Sequence, residues 1–192
     1  MIPLAEAQRL VWEAMRRLEV VAVDHREAAG LVLAEDVVAA EDVPPFDNSA
    51  VDGYAVRTQD VTSAPTELRV IDTVAAGRAS MKTIGAGESM RIMTGAPIPD
   101  GATAVVMVED SEKLGDDRVR LTATAQHGAA IREAGSDVKH GETVFRAGSV
   151  LNAASIGVLA SINVRTVPAR RRARVAVLAT GEVVEFGGAS RE

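Results

Sequence analysis

"PPFDNSAVDGYAV", residues 44–56, sets two prolines ahead of a polar loop in which Asp47 and Asp52 flank Asn48 and Ser49, with Gly53 just beyond. The prolines break the pattern upstream, because the residue before a proline is pushed out of helical geometry. They mark the first plausible domain boundary. The loop itself has two readings from its residue types. Asp and Asn beside Gly are ordinary turn formers. Paired carboxylates beside a glycine also suit a site in which backbone and a ligand approach closely.

Upstream, residues 3–18 have helical spacing. Leu4, Ala7, Val11, Ala14 and Leu18 recur at three- and four-residue intervals, and Pro3 suits a first turn. Trp12 falls on this pattern as a packing residue. "LEVVAVDHREAAGLVLAEDVVA" then mixes a short Val-rich strand, a turn at Gly30 and a second apolar segment. Downstream, from about residue 51 to 138, short Val/Ile/Thr runs are separated by Gly, Pro and Asp. That rhythm predicts a small barrel or sandwich of short antiparallel strands, with "KLGDDR" as a hairpin turn. "NAASIGVLASIN" returns to helix, with Asn152 as a plausible N-cap and Asn163 as a plausible left-handed cap.

Five of the ten residues 165–174 are Arg, which reads as a solvated link or as a patch for an anionic ligand. "RVAVLATGE" follows, an apolar run ending in Thr-Gly, in the manner of a buried parallel strand that opens an α/β domain. The expected fold class is therefore mixed α and β. A discontinuous helical domain (1–45 with 140–170) carries an inserted, β-rich, barrel-like domain (46–139). Residues 171–192 are expected to be the first strand of a truncated α/β domain.

Bulk composition narrows the function. Hydrophobic residues are 47% of the 192 but aromatics only 3%, so a core must be built from Val, Ala, Leu and Ile. The net charge of −6 argues against nucleic acid as a partner. With no cysteine, disulfides, thiolate metal sites and Cys nucleophiles are excluded. His25, His127 and His140 are too scattered in sequence to suggest a metal cluster. The amphipathic, acid-containing N-terminus is unlike a signal peptide, and no run approaches the roughly 18 apolar residues of a membrane span. A soluble cytoplasmic protein is expected.

Three loops collect polar residues next to glycine: "FDNSAVDGYA", "RIMTGAPIPDGA" and "REAGSDVKHG". They offer Asp47, Asp52, Arg91, Thr94, Arg132, Glu133, Asp137 and Lys139. Convergent carboxylates suit a hard cation such as Mg²⁺, held partly through water and a substrate phosphate. "MTGAPIPDG" lacks the lysine of a P-loop, and "AAGLVLAED" is not a dinucleotide-binding glycine pattern.

"PPFDNSAVDGYAVR", "RIMTGAPIPDGATAVVMVED" and "IREAGSDVKHGETVFRAGSVL" resemble the signature blocks of the molybdopterin molybdenumtransferase (MoeA) family, which includes the E domain of gephyrin. The resemblance runs from about residue 3 to 186, in the family's order and spacing. It implies insertion of molybdenum from molybdate into adenylated molybdopterin, with release of AMP and with Mg²⁺ assisting. It implies an elongated homodimer whose active site forms between the β-rich domain of one subunit and the molybdopterin-binding domain of the other. It also implies that Asp52, Thr94 and Asp137 act at that site. The carboxylates would handle a cation or water, and Thr94 would hydrogen-bond substrate. Asp47, Ser49 and Glu182 fall among the implied cofactor-binding positions, and the metal ligands stay unassigned. The stub at 171–192 would belong to the molybdopterin-binding domain. Two departures stand out. Where the family carries "TGDE" this chain has "TGEV", with Glu182 at the first acid and Val183 in place of the second. The chain also stops at Glu192, so it is expected to be inactive alone. Other readings are a non-catalytic dimerisation or scaffold module of the same fold, or a free-standing domain that binds a small ligand or cation.

Overall fold

The computed structural model describes residues 2–176, so Glu182, Val183 and most of the expected strand "RVAVLATGE" lie outside the described residues. By contact the chain divides into two compact units. One takes in residues 2–35 and 146–176 of the described chain, and the other is residues 36–145.

The first unit begins with α1 (Leu4–Ala14). The helix stops earlier than its apolar spacing predicts: Met15 is already extended at φ −72°, ψ 132°. The cause lies downstream in space. Arg170 donates from Nη1 to the Leu18 carbonyl and Arg171 N–H donates to the Glu19 carbonyl, so residues 18–19 are drawn out to meet a strand. That strand, β12 (Thr166–Arg170), pairs antiparallel with β1 (Val20–Asp24). Half of the Arg-rich stretch is thus ordered sheet. The segment at 30–34 bonds on both sides: Leu33 N–H to the Ser149 carbonyl, and Ala34 N–H to the Pro168 carbonyl. Gly30 enters it at φ 78°, a left-handed value that favours glycine. α2 (Ala153–Ser161) starts on a capping box in which Asn152 and Ser155 satisfy each other's backbone N–H. Asn163 follows it at φ 57°, the left-handed geometry expected of a residue just past a helix end. Ala28, Leu31, Leu33, Leu151, Leu159, Ile162, Val167 and Ala169 are buried apolar residues of this unit.

The second unit is built on six strands: β4 (Gly53–Val56), β5 (Thr66–Val74), β6 (Glu88–Ile92), β7 (Ala104–Met107), β8 (Ser111–Lys113) and β9 (Arg118–Leu121). They form one curled half-barrel sheet in the order β7-β4-β6-β5-β9-β8. Alternation along β4 sends side chains to opposite faces. Tyr54 and Val56 join Leu68, Val106, Val119 and Leu121 in one cluster, while Ala55 joins Val74, Met90, Ile92 and Val105 in another. Covering both faces explains why β4 reads as an unbroken apolar run. The β8–β9 hairpin turns through "LGDD", with Gly115 at φ 78°. One pairing departs from the expected antiparallel pattern: β5 and β6 run parallel.

Two short pairs complete this unit. β2 (Val37–Val38) pairs with β11 (Thr143–Phe145), and β3 (Asn48–Ser49) pairs with β10 (Ile131–Arg132). The β2–β11 pair and the bond from Val43 N–H to the Val138 carbonyl group residues 36–45 by contact with the β-rich unit, upstream of the Pro44–Pro45 break. Val43–Pro44 and Ala64–Pro65 are cis peptides.

Candidate functional site

The loop at 46–52 is the hub of the polar residues. Through β3 it pairs with β10, placing Asn48 opposite Arg132 and Ser49 opposite Ile131. On its other side it meets the loop at 93–98. Gly95 N–H donates to the Ser49 carbonyl at 2.8 Å, Ser49 N–H to the Ala96 carbonyl at 3.0 Å, and Ile98 N–H to the Asp47 carbonyl at 3.0 Å. Gly95 sits at φ 76°, so a glycine suits this junction. The three polar loops of the sequence therefore come together in one unit, held mainly by backbone bonds.

Asp52 and Thr94 meet directly. Thr94 donates to Asp52 Oδ1 twice, from its backbone N–H at 2.7 Å and its hydroxyl at 2.8 Å. The backbone donor is the largest cause holding the Asp52 carboxyl below its usual range, followed by the hydroxyl, with the Arg91 charge adding to both. Oδ2 makes no hydrogen bond among the described residues. The result is an ionised carboxylate fixed through one oxygen and open at the other. The next residue, Gly53, cannot carry a side chain: a Cβ there would lie 2.1 Å from the Val106 carbonyl oxygen. Glycine thus lets β7 close on β4 directly beside Asp52.

The other candidates divide. Asp137 pairs with Arg132, its Oδ2 accepting from Nη2 at 2.6 Å, and both side chains are about half exposed. No hydrogen bond or ion pair joins Asp137 to Asp52 or Thr94 among the described residues. Asp47 accepts from Ala134 N–H at 2.8 Å and so ties the first loop to the third. Ser49 is fully buried, and its hydroxyl donates to the Val51 carbonyl at 2.6 Å, holding the turn rather than facing solvent. Glu182 lies outside the described residues. In the sequence Arg91 is only one polar loop residue among several. The fold gives it a place, over the Tyr54 ring at 5.2 Å and bonded to the Gly53 carbonyl. The strand register that puts Tyr54 opposite Arg91 is the signal, and it exists only once β4 and β6 pair.

Among the described residues no three acids or histidines gather as a cation cage. The second Asp52 oxygen is one carboxylate oxygen there without a hydrogen bond, which suits a hard cation that keeps most of its water.

A two-helix, mostly β chain with a carboxylate–hydroxyl pair on joined loops is the class these observations define. The comparisons make it specific. The MoeA N-terminal region (domain I and II) matches residues 2–163, and the chain belongs to this family. It is 43% identical over 187 residues to molybdopterin molybdenumtransferase 2 of Mycobacterium tuberculosis, covering 95% of this chain and 46% of that protein. It is 37% identical over 184 residues to the molybdopterin molybdenumtransferase of Staphylococcus aureus, covering 94% of this chain and 44% of that protein. Among solved structures, the molybdopterin biosynthesis MoeA protein of Pyrococcus horikoshii superposes with a TM-score of 0.80 at 37% identity, over 88% of this chain and 46% of that one. The chain spans somewhat less than half the length of these relatives. No helix among its described residues is long and apolar enough to cross a membrane.

Proposed function

We propose that this chain supplies the N-terminal part of a molybdopterin molybdenumtransferase of molybdenum cofactor biosynthesis, acting in the cytoplasm. The reaction inserts molybdenum from molybdate into adenylated molybdopterin and releases AMP. The observation that carries the reading is the Asp52–Thr94 pair, an ionised carboxylate fixed through one oxygen and open at the other, in a chain that matches the family's N-terminal region. Asp52 would hold a Mg²⁺ ion or a water beside the reacting phosphate, because a bare carboxylate repels a phosphoanhydride. The ion, when bound, would supply charge neutralisation on the phosphate oxygens. The Thr94 hydroxyl, already fixed on Asp52, is the substrate hydrogen-bonding group. Asp137, paired with Arg132, is the second carboxylate for cation or water handling, and Asp47 and Ser49, which also hold the loop in place, are cofactor-side positions. Glu182 adds a cofactor contact.

The site is composite in this reading, so these residues alone do not turn over substrate. The test is AMP release from adenylated molybdopterin with molybdate and Mg²⁺. It compares this chain alone with a chimera that joins it to the remainder of the Staphylococcus aureus relative. The chain alone is expected to be silent. The chimera is expected to be active and to lose at least about tenfold on Asp52→Ala, the scale of one transition-state contact. A folded but inert chimera overturns the functional reading, and release by the chain alone overturns the composite site.

A homodimer is part of the same reading. What supports it is α1, which has no buried residue and exposes Leu4, Val11, Trp12 and Met15 around a groove of about 380 Å³. The same face favours a second reading, a non-catalytic dimerisation or scaffold module. An active chimera unaffected by Asp52→Ala, together with a partner captured through α1, selects that reading.

A further inference from the structure

A second polar feature of the β-rich unit shares Arg91 with the surroundings of Asp52 but has its own lining. A cleft of about 220 Å³ opens over β4, β5, β6 and the β8–β9 hairpin. Tyr54, Thr73, Arg91, Lys113, Asp116 and Arg118 line it. Three of these are cations and one is an acid, in a chain whose net charge is −6.

The cations are only loosely held. Arg91 is positioned by two contacts, its stack over the Tyr54 ring and one bond from Nη1 to the Gly53 carbonyl at 2.8 Å. Its remaining N–H groups meet no acceptor among the described residues. Lys113 lies 3.6 Å from Asp116, with both side chains largely exposed. Arg118 lies 3.4 Å from Glu67, again with both side chains exposed. Pairs of that kind contribute little and yield readily to a better anion. The hydroxyls point the same way. Tyr54 is only 6% exposed, yet neither its hydroxyl nor that of Thr73 has a hydrogen-bond partner among the described residues. Thr73 is exposed, the Tyr54 hydroxyl is not wholly buried, and both residues line the cleft. A pre-positioned guanidinium, two further cations and two free hydroxyls offer many donors and few acceptors. A tetrahedral oxyanion matches that set, since it presents several acceptor oxygens and multiple negative charge.

We propose that this cleft is a binding site for a tetrahedral oxyanion, taken as the free ion or as the phosphate end of a larger ligand. The site stands on its own residues and does not depend on the proposed transferase activity.

The experiment is an NMR titration of the 192-residue chain with sodium phosphate at constant ionic strength, set against sodium chloride. Saturable shifts centred on Thr73, Arg91 and Lys113 are expected. Lys113→Gln, at an exposed position, is expected to weaken binding about tenfold, the scale of one charge-assisted contact. Tyr54→Phe keeps the ring and removes only the hydroxyl, so it probes the site without emptying the core. Equal shifts from chloride, or phosphate binding unchanged in both variants, overturn the proposal. AMP serves as the second arm. Tighter binding of AMP at the same residues assigns the site to the phosphate end of a larger ligand, and equal or weaker binding assigns it to the free ion. Both sustain the oxyanion class, and neither depends on whether the chimera releases AMP.

Discussion

At the scale of single residues, Asp52 is set by its partners. Thr94 and Arg91 stabilise the charged form, so the folded carboxyl titrates below its usual range. A lowered folded value gives stability that is present above the ordinary carboxylate range and is lost as pH falls through the lowered value. Thr94→Val removes the hydroxyl donor and keeps the backbone one. It is expected to move the Asp52 pKa part of the way back up, read as a shift in the carboxyl carbon titration by NMR. An unmoved titration shows that the backbone donor and Arg91 suffice. Gly53 is constrained by space rather than by dihedral angle. Gly53→Ala puts a methyl against the Val106 carbonyl at 2.1 Å, so β4 and β7 must separate. A loss of about 3 kcal/mol is expected, the upper range for overpacking, measured by urea denaturation.

Among the elements, α2 owes its start to a side chain. The Asn152 carboxamide oxygen accepts the Ser155 N–H at 2.9 Å, and Ser155 returns a bond to the Asn152 N–H. Asn152→Ala is expected to cost about 1 kcal/mol, measured by thermal or urea unfolding. Strand β9 is held by burial: Val119 and Leu121 are fully covered within the cluster that also contains Tyr54 and Leu68. Leu121→Ala is expected to cost about 3 kcal/mol by leaving a cavity there. α1 is the opposite case. Its apolar stripe is exposed, and its Arg9–Glu13 pair is too exposed to add much. At protein concentrations too low for association, Trp12→Glu is therefore expected to leave the unfolding midpoint unchanged. In light scattering at tens of micromolar, the parent chain is expected to have a dimeric mass and Trp12→Glu a monomeric one. A monomeric parent chain counts against the dimer.

For the whole molecule, family membership rests on a match that covers residues 2–163. The proposed chemistry concerns a protein about twice this length. The contact units also order the tests. Substitutions at Asp52, Thr94, Gly53 and the oxyanion cleft act within residues 36–145, and those at Asn152 and α1 within the other unit. Effects on stability from one unit and from the other are expected to add, because the substitutions fall in different units. A double variant of Gly53→Ala and Asn152→Ala checks this by urea denaturation.

Local signals in the sequence were enough for α2, the Asn152 and Asn163 caps, the β8–β9 hairpin and the three polar loops. Each depends on residues close together in the chain: a side chain reaching a backbone group three residues on, or a glycine free to turn. The signature blocks were likewise readable, because they are continuous. Pairing between distant segments was not. The early end of α1 and the folding of half the Arg-rich stretch into β12 follow from β1 meeting β12, about 145 residues apart in sequence. The parallel β5–β6 pair and the placing of Arg91 against Tyr54 are decided by register, which no local residue encodes. At "FDNSAVDGYA" the residue types permit both a turn and a site, and the meeting of Asp52 with two donors of Thr94, across a gap of 42 residues, is set by tertiary structure alone.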